Sequence, residues 1–223
     1  MRILAVADAV SPFVYTESFP DNLPPFDVVL SAGDMPGHVL EFLATKLTTR
    51  PIYVLGNHAN GYLRDPSDDA RVLPGGCLNA HRRVVEQNGL IVAGIEGSAR
   101  YRPGEHQYDE LAMESFAAAL APRLAWNRVR RGRALDVLLT HAPPKGPHEG
   151  EDRPHRGVPA FNRIHRWWKP RLHVHGHVHL NGANAQREYR TAEGVRVVNA
   201  YGFALIDLDD DSGDPPAEGG AIA

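Results

Sequence analysis

The sequence predicts an α/β protein whose functional groups collect where strands end, and three observations carry that expectation. First, short apolar runs closed by a polar or acidic residue recur at residues 3–7, 27–32, 51–55, 134–140 and 171–175. Continuous runs of that length suit strands buried on both faces. Second, stretches with apolar residues at helical spacing lie between them, as at positions 39, 40, 43, 44 and 47. Third, His173-Val174-His175-Gly176-His177-Val178-His179 places four imidazoles in seven residues at the end of an apolar run. Neutral imidazole is the commonest metal ligand, and a strand end mounts it rigidly. The spacing alone serves a surface histidine cluster equally well.

Taken in order, residues 3–7 form a strand that offers Asp8 at its C-terminal edge. Residues 11–25 contain Pro12, Pro20, Pro24 and Pro25, which makes them a loop. The strand at 27–32 runs into Gly33-Asp34, residues 39–47 are helical, and the strand at 51–55 ends in Gly56-Asn57-His58. Gln87-Asn88-Gly89 is a hairpin signal between strands at 83–86 and 90–94. Residues 97–107 are a polar, aromatic loop with Tyr101, Arg102 and a loop-tip His106. Asp109 caps a helix carrying Met113, Phe116, Ala117 and Leu120 on one face, and Pro122 opens a second helix. That second helix carries Arg123, Arg128, Arg130, Arg131 and Arg133, a run that suits a solvated face better than a nucleic-acid patch.

The strand at 134–140 ends in His141, and a loop rich in His, Asp, Glu and Arg follows. Phe161, Ile164 and Trp168 then lie at helical spacing, with Trp167 and Trp168 read as packing residues. Residues 187–190 and 195–199 fit a hairpin and 203–208 a last strand. Residues 1–208 are thus expected to form one domain, followed by a disordered acidic tail at 209–223. No internal repeat is present.

Composition narrows the function classes. The 223 residues are 43% hydrophobic and 23% charged, ordinary for a globular protein able to bury a full core. A formal net charge of −3 gives no electrostatic footprint for long nucleic acids, yet leaves a small phosphate ester open as a substrate. One cysteine, Cys77, excludes an internal disulfide and fits a reducing cytoplasm; with no base beside it, it reads as a buried small hydrophobe. No run is long enough for a membrane span.

The strand tips offer Asp8, Asp34, Asn57, His141, His177 and His179, a carboxylate, amide and imidazole set suited to Mn²⁺, Fe or Zn²⁺. The blocks Asp8-Ala9-Val10, Gly33-Asp34, Gly56-Asn57-His58-Ala59, Thr140-His141 and Gly176-His177-Val178-His179 stand in that order. In these blocks the sequence resembles the calcineurin-like metallophosphoesterase superfamily, whose pattern is D-x-H, G-D, G-N-H-[DE], a lone H and G-H-x-H. The resemblance implies a four-layer α-β-β-α sandwich of two mixed sheets flanked by helices. It also implies two divalent metal ions, with manganese the first expectation and iron or zinc the alternatives. Asp8, Asp34 and His179 would hold one metal, and Asp34, Asn57, His141 and His177 the other. His58 would assist the leaving group while water activated by the metals attacks phosphorus.

Two departures follow from the same blocks. Val10 stands where the family has a ligand histidine, which implies a weak or empty first site. Ala59 stands where the family has an acid that supports the histidine before it; losses of that kind cost about 10–100-fold. The implied activity is hydrolysis of a small nucleotide-like or other organic phosphate, most simply a phosphodiester. A binding or scaffold protein with a weakened site, or a nuclease, are the alternatives. His148, Asp152, His155 and Arg156 follow His141 closely and are candidate substrate contacts, a solvated loop being the other reading. His175 is a candidate supporting residue, and His173 and His38 are expected to be structural or exposed.

Overall fold

The computed structural model describes residues 1–59, 73–180 and 185–209. Two mixed sheets lie face to face. The first contains β1 (Arg2–Ala7), β2 (Val28–Ser31), β3 (Ile52–Tyr53), β4 (Leu78–Asn79) and β13 (Gly202–Asp207), ordered β13-β1-β2-β3-β4. The second contains β5 (Val84–Gln87), β6 (Leu90–Ile95), β9 (Val137–Thr140), β10 (Leu172–His175), β11 (Glu188–Arg190) and β12 (Arg196–Asn199), ordered β11-β12-β10-β9-β6-β5. A two-stranded ribbon pairs β7 (Ser98–Ala99) with β8 (Gln107–Tyr108). Central pairs such as β1–β2, β6–β9 and β9–β10 are parallel, while β13, β5 and β11 join antiparallel at the edges.

Period-2 alternation sorts each strand between two layers. Ile3, Ala5, Val28, Leu30, Val92, Val137, Leu139, Leu172 and Val174 fill the space between the sheets. Leu4, Val6 and Val29 face Val39, Leu40 and Leu43 of α1 (Gly37–Lys46). Ile91, Ala93, Ile95 and Leu138 face Met113, Leu120 and Leu124 of α2 (Glu110–Arg131) and Phe161 and Ile164 of α3 (Pro159–Trp168). The result is helix, sheet, sheet, helix, the four layers expected.

Local chemistry agrees at most boundaries. Asp109 accepts the Ala112 amide at 2.9 Å to cap α2. Asn88 and Gly89 take φ of 52° and 79°, the left-handed pair that a tight hairpin needs. The second helix expected at Pro122 is not separate: α2 runs through it unbroken. Pro122 and Ala118 are exposed, so water can bond the Ala118 carbonyl that the proline cannot serve, while Leu120 and Leu124 hold both halves in one core. The arginine run is a paired, solvated face: Arg131 meets Glu86, Arg133 meets Asp136, and Arg128 covers Trp168. Trp167, expected to pack, is 60% exposed. Cys77 is buried, and that burial, with Glu41 nearby, pushes its thiol up to about 11. Of the expected tail, Asp209 is described and bonds the N-terminal amine and Arg171; residues 210–223 lie outside the described residues. Among the described residues no helix is long and apolar enough to cross a membrane.

Candidate metal centre

Parallel pairing brings the C-terminal ends of β1, β2, β3, β9 and β10 to one edge, the usual ligand edge of an α/β protein. Asp8, Asp34 and His141 offer ligand atoms that lie within 4.8 Å of one another there. Three residues at this edge take left-handed backbone: Asp8 (φ 63°), Asp34 (φ 51°) and His177 (φ 70°). That region is uncommon for non-glycine residues, and such strain concentrates at functional sites. Two glycines keep the centre compact. A Cβ on Gly56 would overlap the Asp34 carboxylate, and one on Gly176 would sit 2.5 Å from Asp8 Oδ2.

The chemistry is sharpest at His141, which is fully buried. Its Nδ1–H donates to the Ala32 carbonyl at 2.8 Å, which leaves Nε2 as the nitrogen that turns into the site. Nε2 faces Asn57 Oδ1 at 2.9 Å and Asp34 Oδ2 at 3.3 Å. Asn57 is oriented by its Nδ2, which donates to the Tyr101 hydroxyl at 3.2 Å. A neutral His141 would therefore direct three lone-pair atoms at one point, an arrangement that demands a proton or a cation. With no metal, burial opposes protonation of His141, but Asp34 and Asp8 overcome it and raise the imidazole to about 9. Burial likewise pushes Asp34 up, but His141 and the His58 amide hold it below the ordinary carboxylate value. Burial carries Asp8 above that value, against the pull of His141 and with the repulsion of Asp34. A carboxylate, an amide oxygen and an imidazole nitrogen that need one positive charge between them fit a divalent ion.

The other expected ligands are placed differently. The His177 amide donates to Asp8 Oδ2 at 2.9 Å and its ring lies 4.8 Å from that of His141, but its Nε2–H donates to the Pro154 carbonyl. Burial and then His141 lower His177 to about 3, so it stays neutral. His179 is exposed, its ring 4.7 Å from Tyr201, and it does not join the converging group. Val10, at the position of the absent histidine, is 40% exposed. His58 is exposed at the rim, tethered by its own amide to Asp34 Oδ1 at 2.9 Å.

The loop after His141 reaches the centre through its middle. The His155 ring lies 5.0 Å from that of His177, while Asp152 is exposed and bonds His155 at 2.7 Å. Arg156 is exposed. His148, expected to face substrate, is instead buried, its Nδ1 2.7 Å from His175 Nε2 and its ring against Tyr189. His175 and His173 share the outer face of β10 and are fully buried. His173 Nε2 meets Thr140 Oγ1 at 2.7 Å, and its Nδ1 meets His165 Nε2 at 2.8 Å. His38 is exposed in the first turn of α1. His106 is not a loop tip: its side chain is nearly buried and bonds Glu96 at 2.9 Å, because the ribbon folds back over the end of β6.

Tyr101 is the residue that the sequence did not single out. Its only signal was an aromatic side chain in a polar loop, since its partner Asn57 lies 44 positions away.

The model of the family described as calcineurin-like phosphoesterase matches residues 1–181 of the chain. Among solved structures, TT1561 of Thermus thermophilus is 18% identical with a TM-score of 0.58, covering 93% of this chain and 94% of that one. The phosphopantetheinyl hydrolase PptH from Mycobacterium tuberculosis is 15% identical with a TM-score of 0.56, covering 96% and 98%. At those identities the likeness is one of fold. No curated protein matches the sequence.

Proposed function

The chain belongs to the calcineurin-like phosphoesterase family, and on that premise we propose that it is a metal-dependent phosphodiesterase acting on a small nucleotide-like or other organic phosphate. The observation that carries the proposal is the convergence of His141 Nε2 on Asn57 Oδ1 and Asp34 Oδ2, with Asp8 alongside. Asp34, Asn57 and His141 would hold one divalent ion, Mn²⁺ first, with His177 beside them. Bound there, the ion would lower the pKa of water and neutralise phosphate charge.

The chain's own groups do the rest. Buried on the rigid ends of β2 and β9, Asp34 and His141 keep the donor set fixed while substrate enters and leaves. His58 stands at the open rim with its backbone tied to Asp34. There it can give a proton to the departing ester oxygen as water attacks phosphorus and the P–O bond breaks. Tyr101 keeps the Asn57 amide turned with its oxygen inward.

Val10 and the outward His179 favour one alternative, a binding protein with a weakened centre. Metal content of protein purified without chelators, measured with Mn²⁺-dependent hydrolysis of bis-p-nitrophenyl and p-nitrophenyl phosphate, separates the two. The enzyme reading expects about one tightly held ion per chain and faster turnover of the diester. Faster monoester turnover would overturn the diester choice. No metal and no turnover in added Mn²⁺ would leave the binding protein.

A further inference from the structure

A cleft of about 450 Å³, lined by none of the candidate ligands themselves, opens between the β7–β8 ribbon and the loop that follows His141. Its walls are the two segments that also touch the site. On one side is the β7–β8 ribbon, whose tip places Tyr101 on Asn57; on the other is the loop whose Pro154 and His155 contact His177. The floor includes the buried Met113 and Val158, and Val158 bridges Pro144, three residues beyond His141. A volume of this order accommodates the organic part of a small ligand.

Two cations edge this cleft, Lys145 and Arg156, and neither forms an ion pair among the described residues. Both stand on fastened backbone. Asn162 clasps the Lys145 main chain, accepting its amide at 3.0 Å and donating to its carbonyl at 2.8 Å. Arg156 lies between His155, whose carbonyl accepts the Gly150 amide at 2.8 Å, and Gly157, whose amide bonds Glu149 at 3.1 Å. Two acids also line the cleft, Glu149, whose carboxylate is turned to that amide, and Glu110 of α2; neither pairs with Lys145 or Arg156 among the described residues. Unpaired Lys and Arg at fixed positions on one rim form the usual receptor for a phosphate group, Arg supplying planar donors and Lys a point charge.

We propose that this cleft binds the part of the diester that stays with phosphorus, and that this part carries a second phosphate held by Lys145 and Arg156. The inference rests on the phosphodiesterase reading and names its substrate class: a phosphodiester of nucleoside size with an additional anionic group. It separates true substrates from simple aryl diesters, which have nothing to place between the two cations.

Two esters test it, the p-nitrophenyl ester of thymidine 5′-phosphate and the same ester bearing a 3′-phosphate. The 3′-phosphorylated ester should have a KM about 10–100-fold lower, the worth of one or two charge-assisted contacts. In Lys145→Ala/Arg156→Ala that ratio should collapse towards one. Both residues are exposed and the Lys145 main-chain bonds survive the change, so folding is not at issue. Calorimetric binding of thymidine 3′,5′-bisphosphate supplies a readout independent of turnover: the unaltered chain should bind it at least about tenfold tighter than the double variant. Equal binding, or a KM ratio unchanged by the double substitution, overturns the cleft assignment. If neither ester is hydrolysed, the phosphodiesterase reading falls, and the calorimetry still decides the cleft.

Discussion

The two halves of the candidate centre are unlike. On one side Asp34, Asn57 and His141 are buried and converge, and each is held by a second group: the His58 amide, Tyr101 and the Ala32 carbonyl. On the other side Asp8 is held by the His177 amide, but the two positions expected to complete that half do not: Val10 is apolar and exposed, and His179 is turned to Tyr201. Both halves rest on parallel strand ends, so the difference is not one of scaffold. It lies in the groups that orient the ligands. Where they are present, the side chains point inward without an ion; where they are absent, an expected ligand packs elsewhere. A metal site is thus as good as the contacts behind its ligands.

Breaking the assembled half should have the largest effect. Asp34→Asn removes the charge that His141 answers and the carboxylate nearest both halves. Metal content should fall to near zero and Mn²⁺-dependent hydrolysis by at least about 10³-fold, the loss of several kcal/mol of charge stabilisation. Circular dichroism should be unchanged, because the strand that carries Asp34 is held by its own ladder. Retained turnover would mean that the chemistry lies elsewhere. Repairing the other half should have a smaller effect in the opposite direction. Val10→His should raise metal content towards two ions per chain and tighten the weaker ion by at least about tenfold, the least that a direct ligand should add. If stoichiometry and affinity do not move, Val10 is not what limits that half.

Tyr101→Phe sharpens the comparison from behind the ligand. It removes only the oxygen that accepts the Asn57 amide, 3.2 Å away. Without it the amide is free to turn, and Mn²⁺ affinity, read by titration of the metal-free protein, should weaken by about tenfold. An unchanged affinity would show that His141 alone orients Asn57.

Much of this was legible in the sequence because it depends on periodicity. The apolar runs at residues 3–7 and 134–140 placed strands, and each polar residue that closed such a run marked a tip; Asp8, Asp34, Asn57 and His141 meet there. His173 and His175 share a face because they stand two positions apart on one strand. What was not legible depends on reach across the chain. Tyr101 to Asn57, His148 to His175 and His179 to Tyr201 are contacts between loops or strand ends whose approach no local pattern encodes. Pro122 misled because a proline inside a helix and one that opens a helix look alike until packing on both sides is known. The left-handed backbone at Asp8, Asp34 and His177 carries no glycine to announce it.

The buried histidines beneath the assembled half supply the smallest and most specific prediction. Thr140 has one hydroxyl proton; it gives that proton to the Ala142 carbonyl at 2.6 Å and so accepts from His173 Nε2–H, whose Nδ1 in turn accepts from His165. The chain of contacts therefore holds the His173 imidazole neutral, next to the residue that precedes His141. Burial lowers His165 to about 4, and burial, aided by neighbouring imidazoles, holds His173 well below the ordinary histidine value. In the unfolded chain each titrates near 6.5. Folded values below unfolded ones mean that the stabilisation is complete above about pH 6.5 and is lost as pH falls below it, because the unfolded state takes up the protons. His165→Phe removes one such proton. Between pH 6 and 5, unfolding free energy from urea titration should then fall less steeply than in the unaltered chain, by about 1.2 kcal/mol per pH unit. The absolute stability of the variant does not enter, since the slope alone counts protons. An unchanged slope would mean that His165 is already charged in the folded protein, still donating from Nε2 to His173 Nδ1.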